Sequence, residues 1–353
     1  MANDLLAPFD AVLLLSFGGP EGPDEVMPFL EHVTRGRGIP RERLELVAEH
    51  YLGFGGVSPI NAQNRALLAA LGTALRERGS ALPLFWGNRN SAPWLGEVAT
   101  AMVAAGARRP LVLVTSAYSS YSGCRQYRED LAAAFAGLDV EVAKVAQYYD
   151  AEGFIVANTE AVDDALTALP SASRIIFVTH SVPITADAER YVAQHETVAR
   201  EILRRIAEGR GGGLPDWELA YCSRSGAPGQ PWLDPDINDR LRELSAQGVT
   251  DVVVAPIGFV SDHMEVKFDL DTEAAATALG LGMRMQRAAT AGTHPAFVRG
   301  LIDLMIERSA EERGEVQGAA RVALPIARAS SSCAADCCPN PRSARPALCQ
   351  AAA

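Results

Sequence analysis

The chain has 353 residues, more than one ordinary domain core accommodates, so we expect two domains. Its composition, 48% hydrophobic and 21% charged, is that of a globular protein rather than a disordered or fibrous one. A net charge of −11 argues against nucleic acid as a partner, because proteins that bind duplexes carry a basic surface.

The sequence shows no sign of membrane insertion or export. No uninterrupted apolar run approaches the roughly 20 residues that a membrane-spanning helix requires. The first ten residues lack a basic segment and contain two aspartates, so they do not resemble a signal peptide. We therefore expect a cytoplasmic protein without a transmembrane segment, in which the six cysteines do not form a disulfide framework.

In chain order, four short segments of the first half recur in the second half, which predicts a duplicated domain. Most of them are continuous apolar runs rich in Val, Ile and Leu, as expected of strands that are buried on both faces of a sheet. The pairs are 11–20 with 174–183, 84–95 with 219–233, 110–121 with 251–261, and the weaker 140–145 with 283–286.

Stretches with helical periodicity separate these predicted strands, and the clearest are 64–78, 186–207 and 239–247. Strand–helix alternation predicts parallel sheets with crossover helices. We predict an α/β fold with two similar doubly wound, Rossmann-like domains around a central cleft. Their predicted bounds are 8–168 and 169–313, and a cysteine-rich tail follows at 314–353. The loops after the strands, at 16–20, 116–124, 180–183 and 258–265, should meet at the cleft.

His180 is the first candidate for chemistry because it directly follows the predicted strand at 175–179. Parallel sheets present functional groups at this position. A neutral imidazole can act as a base or bind a borderline metal such as Fe(II). The alternative is a histidine that only caps the next helix.

A stripe of carboxylates is the second candidate. Glu265, Asp269 and Glu273 are spaced four residues apart and would share one face of a helix. A solvated acidic face is the common alternative. Because the stripe begins just after a buried strand, we expect Glu265 to face the cleft, and we interpret Asp269 and Glu273 as a path for metal or protons. Asp262 is predicted to cap this helix.

Two loops are candidates for ligand binding. Residues 118–128 combine tyrosines, serines and two arginines, which suits a flat, partly apolar anionic ligand but is also ordinary loop composition. The loop at 55–61 is flexible and contains Ser58. The glycines at 16–22 lack the spacing of a nucleotide-binding loop, so we expect no NAD or ATP site.

Five motifs occur in order along the chain: Leu-Leu-Leu-Ser-Phe-Gly-Gly-Pro at 13–20, Thr-Arg-Gly-Arg at 34–37, Gly-Gly-Val-Ser-Pro at 55–59, Thr-His-Ser-Val-Pro at 179–183 and Ser-Asp-His-Met-Glu at 261–265. Together they resemble the ferrochelatase family, and within it the actinobacterial branch that inserts iron into coproporphyrin III. The resemblance covers about residues 8 to 313, and the last two motifs are the specific ones.

The resemblance implies that His180 and Glu265 flank the iron and that Ser58 and Tyr127 contact the porphyrin and its propionates. The chain departs from some relatives at Phe17, where they carry a tyrosine iron ligand. Fe(II) and coproporphyrin III are then the substrates of a monomeric enzyme, with an iron donor that the sequence does not identify. The alternatives are a protoporphyrin IX ferrochelatase, a cobalt or nickel chelatase of the same fold, and a two-lobed binding protein.

The substrate expectation depends on the segment 27–57, which forms an apolar, membrane-facing lip in relatives that use protoporphyrin. In this chain, charged residues interrupt the segment every few positions. We therefore predict neither strong membrane anchoring nor a purely apolar cleft mouth. Coproporphyrin III, with four propionates rather than two, is the predicted substrate.

Four of the six cysteines lie in the last 21 residues. A 2Fe–2S cluster requires four thiolates, and the resemblance implies such a cluster, with three ligands from the tail and one from the body. Cys124 is the matching body position, whereas Cys222 lies within a predicted strand and is interpreted as a core residue. Zinc is the alternative, although a C-x2-C pair is absent. The favoured tail ligands are Cys333, Cys338 and Cys349, and sets that contain Cys337 stay open.

Overall fold

Two parallel four-stranded sheets form the centre of the protein. The structure is a computed structural model that describes residues 4–169, 173–185, 187–213, 216–225, 229–315, 320–334, 336–343 and 345–348. The first sheet contains β1 (Ala11–Ser16), β2 (Leu84–Asn88), β3 (Pro110–Val114) and β4 (Ala143–Lys144). The second sheet contains β5 (Arg174–His180), β6 (Trp217–Cys222), β7 (Asp251–Ala255) and β8 (Arg284–Arg287).

The strand orders are β2-β1-β3-β4 and β6-β5-β7-β8, so the two halves have equivalent topologies. All pairings within the sheets are parallel, with Leu13 opposite Phe85 and Val112, and Ile176 opposite Glu218 and Val254. The predicted fold and the internal repeat are confirmed. Each sheet lies within one predicted domain, and the division at residues 168 and 169 stays a prediction.

Helices cover both sheets. They are α1 (Pro23–Val33), α2 (Arg41–Leu52), α3 (Ile60–Glu77), α4 (Leu95–Ala104), α5 (Gln126–Ala134), α6 (Glu152–Thr167), α7 (Ala188–Arg210), α8 (Ile237–Ala246), α9 (Ala275–Gly280) and α10 (Pro295–Glu312). A π-helical turn at Tyr121–Arg125 leads into α5, and a longer π-helix at Val266–Ala274 leads into α9. Among the described helices, none combines the length and the apolar character that crossing a bilayer demands.

One apolar core joins the two halves. It contains Leu14 from the first sheet and Phe177 from the second, with Phe154 of α6 and Phe297 of α10 between them. Helices α6 and α10 approach closely at Gly153, where an added Cβ would lie 2.1 Å from the carbonyl oxygen of Ala296. Since a side chain does not fit there, this glycine sets the distance between the two helices.

The tail packs on the protein body along 320–334, 336–343 and 345–348. Arg321 is almost fully buried and pairs with Asp150 at 2.5 Å and with Glu307 at 3.1 Å. The hydroxyl of Tyr149 donates to the carbonyl oxygen of Ala327 at 2.6 Å. Apolar side chains of the tail also pack against the main core. These side chains are Ala320, Val322, Leu324, Ile326 and Ala329.

Candidate functional site

The cleft brings together the two predicted iron-binding side chains. His180 is the last residue of β5, and Glu265 follows the loop after β7, the strand that pairs with β5. Because both chain segments leave the carboxyl ends of adjacent parallel strands, residues 85 positions apart in sequence become neighbours. His180 Nε2 lies 3.2 Å from Glu265 Oε1. The side chains are 32% and 41% accessible because they line the cleft.

Backbone contacts orient the imidazole of His180. Its Nδ1 lies 2.5 Å from the carbonyl oxygen of Ser181, which can only accept, so Nδ1 carries the proton. This arrangement directs Nε2 to Glu265. Burial opposes a charge on the ring, but the Glu265 carboxylate outweighs it and raises the pKa of His180 to about 9. For Glu265, burial is likewise outweighed by His180 and His263, which lower its pKa to about 2.

His263 is a third member of this site that the sequence reasoning did not assign. Its Nε2 lies 3.4 Å from Glu265 Oε2, while its Nδ1 accepts from the backbone N–H of Val266 at 3.4 Å. Burial lowers the pKa of His263. The position of His263 two residues before Glu265 within the Ser-Asp-His-Met-Glu motif is the signal that could have identified it.

The prediction that Asp262 caps the helix is wrong. Its carboxylate pairs with Arg287 at 3.1 Å and accepts from the hydroxyl of Thr290, also at 3.1 Å. His263 instead accepts from a backbone N–H group in the first turn of the helix, that of Val266. Asp262 therefore anchors the loop to the end of β8.

The carboxylate stripe lies on a π-helix rather than on the α-helix that the spacing predicted. The wider turn of such a helix is rare and is frequently found at functional sites. Asp269 accepts from the hydroxyl of Ser223, a residue with a left-handed backbone (φ 62°). Burial and the neighbouring Glu265 and Glu273 raise the pKa of Asp269 to about 7, against the lowering effect of Ser223. Asp269 can therefore both bind and release a proton near neutral pH.

Helix α2 covers the cleft from the first domain. Tyr51 lies near Glu265 and Asp269, and burial together with these carboxylates raises the pKa of its hydroxyl well above the ordinary value. His50 stacks on Phe268 of the π-helix with the ring centroids 3.6 Å apart. The sequence reasoning missed these contacts because nothing in the spacing of α2 links it to the second domain.

The first domain presents Phe17 at the cleft. Its ring is 36% exposed and packs edge-on against Phe29, with centroids 6.2 Å apart. The guanidinium of Arg89 lies 5.8 Å from the centre of the Phe17 ring. Phenylalanine has no metal-binding atom. The side chain at position 17 therefore supplies an apolar contact and no metal ligand.

Ser58 and Tyr127, the predicted porphyrin contacts, are buried in this structure, with exposures of 3% and 4%. Ser58 packs against Gly19, where an added Cβ would lie 2.6 Å from the Ser58 Cβ. Tyr127 lies in the core of the first domain beneath the guanidinium of Arg89, 4.4 Å from its ring centre. Their contact with a porphyrin stays a prediction.

The arginines of the loop at 118–128 contact the tail. Arg128 donates to the carbonyl oxygens of Ser331 at 3.1 Å and Leu348 at 3.3 Å. Arg125 donates to the carbonyl oxygen of Arg345 at 3.3 Å. Both arginines therefore contact the tail, and the binding of a flat anionic ligand by this loop stays a prediction.

Four cysteines line one small cavity between this loop and the tail. They are Cys124, Cys333, Cys337 and Cys338. The sulfurs of Cys337 and Cys338 lie 4.0 Å apart, and Arg190 of α7 donates to the Cys338 sulfur at 2.8 Å. Cys222 is buried in β6, as the sequence predicted. Cys349 lies outside the described residues.

These thiols fit a 2Fe–2S cluster by type, since such a cluster takes four thiolates. Among the residues that the structure describes, no three candidate ligands are close enough to hold a single metal ion. A zinc ion would need its ligands within about 2.3 Å of one point. The cavity therefore brings thiol donors of the type that either metal group needs together, and the choice between a 2Fe–2S cluster and zinc stays a prediction.

Comparison with known proteins places this geometry in a family. The model of the family described as ferrochelatase matches residues 9–309. The chain belongs to the ferrochelatase family. It is 52% identical to the coproporphyrin III ferrochelatase of Streptomyces coelicolor and 50% identical to that of Streptomyces griseus. Each match covers 97% of this chain and 96% of the relative. Because ferrochelatases are metal chelatases, a two-lobed binding protein is excluded.

A solved structure with low sequence identity supports the fold. SirB of Bacillus subtilis, determined with Fe3+, superposes with a TM-score of 0.51 at 14% identity, covering 86% of this chain and 97% of that one. At 14% identity, this similarity shows that the two sheets are arranged alike, and it shows the fold alone. It confirms the chelatase-type fold that the sequence predicted.

Proposed function

We propose that this ferrochelatase inserts Fe(II) into coproporphyrin III and that His180 and Glu265 carry the reaction. The observation that carries the proposal is their 3.2 Å contact at the carboxyl ends of β5 and β7, inside the cleft of a ferrochelatase-family chain. Imidazole and carboxylate are donors that suit Fe(II). The names of the Streptomyces relatives support coproporphyrin III as the porphyrin.

His180 has to lose a proton before it and Glu265 can bind the metal together. With a pKa of about 9, His180 is protonated at neutral pH when the site is empty. Because only the neutral imidazole binds a metal, Fe(II) must displace this proton. Glu265 stays ionised throughout, since its pKa is about 2, and supplies negative charge for the incoming cation. Metallation releases two pyrrole protons; His180 can accept one once the metal has passed to the porphyrin, and the other has to leave the cleft towards solvent.

The π-helix provides a route for the released protons. Asp269 has a pKa of about 7, close to the working pH, which is the condition for efficient transfer in both directions. Ser223 donates to Asp269, and Glu273 lies close enough to raise its pKa. We propose that Asp269 and Glu273 relay protons, or the metal itself, between the cleft and solvent.

The charges and the exposed side chains around the cleft support a porphyrin with several carboxylates as the substrate. Burial and the positive charges of Arg342 and Arg89 lower the pKa of Arg37, so this region next to Phe17 is electropositive and suits propionates. Large apolar side chains are also exposed at position 17 and within the segment 27–57. They are Phe17, Leu46, Leu52, Phe54 and Val57. A porphyrin ring has both an apolar face and charged edges.

The substrate preference is directly testable. We expect kcat/KM for coproporphyrin III to exceed that for protoporphyrin IX by about tenfold or more, since each lost charge-assisted contact costs roughly 1.5–3 kcal/mol. The assay measures Fe(II) insertion without oxygen as a loss of porphyrin fluorescence. Co(II) and Ni(II) are assayed in parallel. A higher kcat/KM for protoporphyrin IX, or faster insertion of cobalt or nickel, would overturn the assignment.

The KM for Fe(II) should depend on pH because the pKa of His180 is raised. Below pH 9, each metal ion must displace one proton, so KM for Fe(II) should fall about tenfold per pH unit between pH 6 and 8. The assay is initial rate against Fe(II) concentration without oxygen. A KM that is constant over this range would contradict proton displacement from His180.

We also propose that Cys124 and three tail cysteines hold a 2Fe–2S cluster. When bound, the cluster supplies covalent cross-links between tail and body, and metal insertion itself transfers no electrons. The alignment with the Streptomyces coelicolor relative covers 97% of this chain, so it extends into the tail. We further expect the enzyme to be a cytoplasmic monomer.

A further inference from the structure

A buried hydrogen-bond chain lies directly beneath His180. It consists of Thr179, Tyr191 and His195, which are 0%, 7% and 0% exposed. The hydroxyl of Tyr191 lies 2.5 Å from Thr179 Oγ1 and 3.2 Å from the carbonyl oxygen of His180. Thr179 Oγ1 lies 2.9 Å from His195 Nε2. The chain joins the end of β5 to the second turn of α7.

The donor and acceptor chemistry of the side chains fixes which group donates in each hydrogen bond. His195 Nδ1 lies 2.7 Å from the carbonyl oxygen of Tyr191, so Nδ1 must carry the proton. Burial lowers the pKa of His195 to about 3, so the ring is neutral and Nε2 can only accept. The hydroxyl of Thr179 therefore donates to His195. Its oxygen is left to accept from Tyr191, whose hydroxyl is shared with the carbonyl oxygen of His180.

Packing prevents this chain from rearranging. The ring of Tyr118, from the first domain, stacks on His195 with centroids 3.6 Å apart. Gly258, in the loop that leads to Glu265, lies so close that an added Cβ would be 2.1 Å from Thr179 Oγ1. Thr179 is thus enclosed between α7 and the loop that carries the second catalytic side chain.

The same contacts fix the backbone of His180. Its carbonyl oxygen accepts from Tyr191, and the next N–H group, of Ser181, donates to the carbonyl oxygen of Cys222 at 2.8 Å. The Nδ1 proton of His180 in turn depends on the position of the Ser181 carbonyl. A rotation of the His180 peptide would move all of these groups and turn Nε2 away from Glu265.

We propose that Tyr191 and Thr179 are positioning residues, which hold the His180 peptide so that Nε2 faces Glu265. This inference rests on the proposed function, in which His180 receives the metal and accepts a proton. Neither hydroxyl touches the reacting atoms. Their effect is on the alignment of His180, and a misplacement of about 1 Å can reduce a rate up to roughly a hundredfold.

The test is Tyr191→Phe, which removes the hydroxyl and keeps the ring. We expect kcat for Fe(II) insertion into coproporphyrin III to fall about tenfold, while KM for the porphyrin changes by less than about twofold. The matched control is Tyr148→Phe. Tyr148 is also buried, and its hydroxyl donates to a backbone carbonyl, that of Val114, at 2.9 Å in the first domain. We expect this control to retain the wild-type kcat.

Thr179 gives a second, independent pair of variants. Thr179→Val keeps the shape but removes the hydroxyl that connects Tyr191 with His195, so it should reduce kcat as Tyr191→Phe does. Thr179→Ser restores the hydroxyl and should restore kcat. Far-UV circular dichroism and the unfolding temperature, measured for all four variants, identify any loss that comes from unfolding.

The outcomes separate this inference from the proposed function. Wild-type kcat in folded Tyr191→Phe and Thr179→Val, or an equal loss in Tyr148→Phe, would overturn the positioning role alone. Turnover by His180→Ala at the wild-type rate would overturn the proposed function and the inference with it. A selective kcat loss in Tyr191→Phe and Thr179→Val, with recovery in Thr179→Ser, supports the inference.

Discussion

His180→Ala should abolish iron insertion and leave the fold and porphyrin binding intact. The substitution removes the imidazole that receives the metal and takes a pyrrole proton, and general acid–base groups of this kind contribute about 10²–10⁴-fold to a rate. His180 is 32% accessible at the cleft, so its truncation leaves no sealed cavity in a core. The measurements are anaerobic insertion rates, far-UV circular dichroism and porphyrin fluorescence titration.

Glu265→Gln should give a loss of the same order, because it removes the negative charge that faces both His180 and His263. The protein offers a matched control in Glu160, which pairs with His294 at 3.0 Å on the surface. Glu160→Gln breaks a similar contact outside the cleft and should retain wild-type activity. Near-normal turnover in His180→Ala or Glu265→Gln would refute the assignment of these residues.

Cys124→Ser should eliminate the visible absorption of the purified protein. Protein prepared without oxygen should be red-brown with two irons per chain, since a 2Fe–2S cluster has charge-transfer bands. Loss of the body ligand should also release the tail, which limited proteolysis within 320–348 would detect. Cys222→Ala is the control that keeps the colour, because Cys222 lies buried in β6 and away from the cavity.

Single serine variants of the tail cysteines then identify the other three ligands. The cavity is lined by Cys333, Cys337 and Cys338, and Cys349 is the fourth candidate. Three of these variants should bleach the protein and one should not. A colourless wild-type preparation that contains zinc would exclude the cluster.

Much of the fold was predictable because buried parallel strands leave a strong signal. Continuous apolar runs predicted the strands β1, β3, β5 and β7, and the recurrence of these runs predicted the duplicated domain. Their alternation with helical segments gave the parallel topology. His180 and Glu265 followed from the same logic, since His180 ends such a strand and Glu265 follows the loop after another.

The remaining parts of the site depend on contacts between distant segments, for which no local pattern exists. His50 and Tyr51 reach the π-helix only because α2 crosses the cleft. Ser223 contacts Asp269 through a left-handed backbone conformation that its residue type does not favour. The π-helix itself could not be read from spacing, because carboxylates four residues apart suit an α-helix equally well.

The contacts of the tail could not be read from its composition. Arg321 is enclosed between Asp150 and Glu307. Arg125 and Arg128 of the body donate to carbonyl oxygens of the tail. In both cases, the partners lie about 14 to 220 positions away along the chain.

A single-turnover experiment tests the central claim most directly. Enzyme in excess over coproporphyrin III is mixed with Fe(II) in the absence of oxygen, and the porphyrin fluorescence and absorption spectrum are followed. The wild-type protein should convert the porphyrin to its iron complex in one enzyme-dependent phase, and His180→Ala should bind the porphyrin but leave it metal-free. Equal conversion by the two proteins, or none by the wild type, would contradict the account.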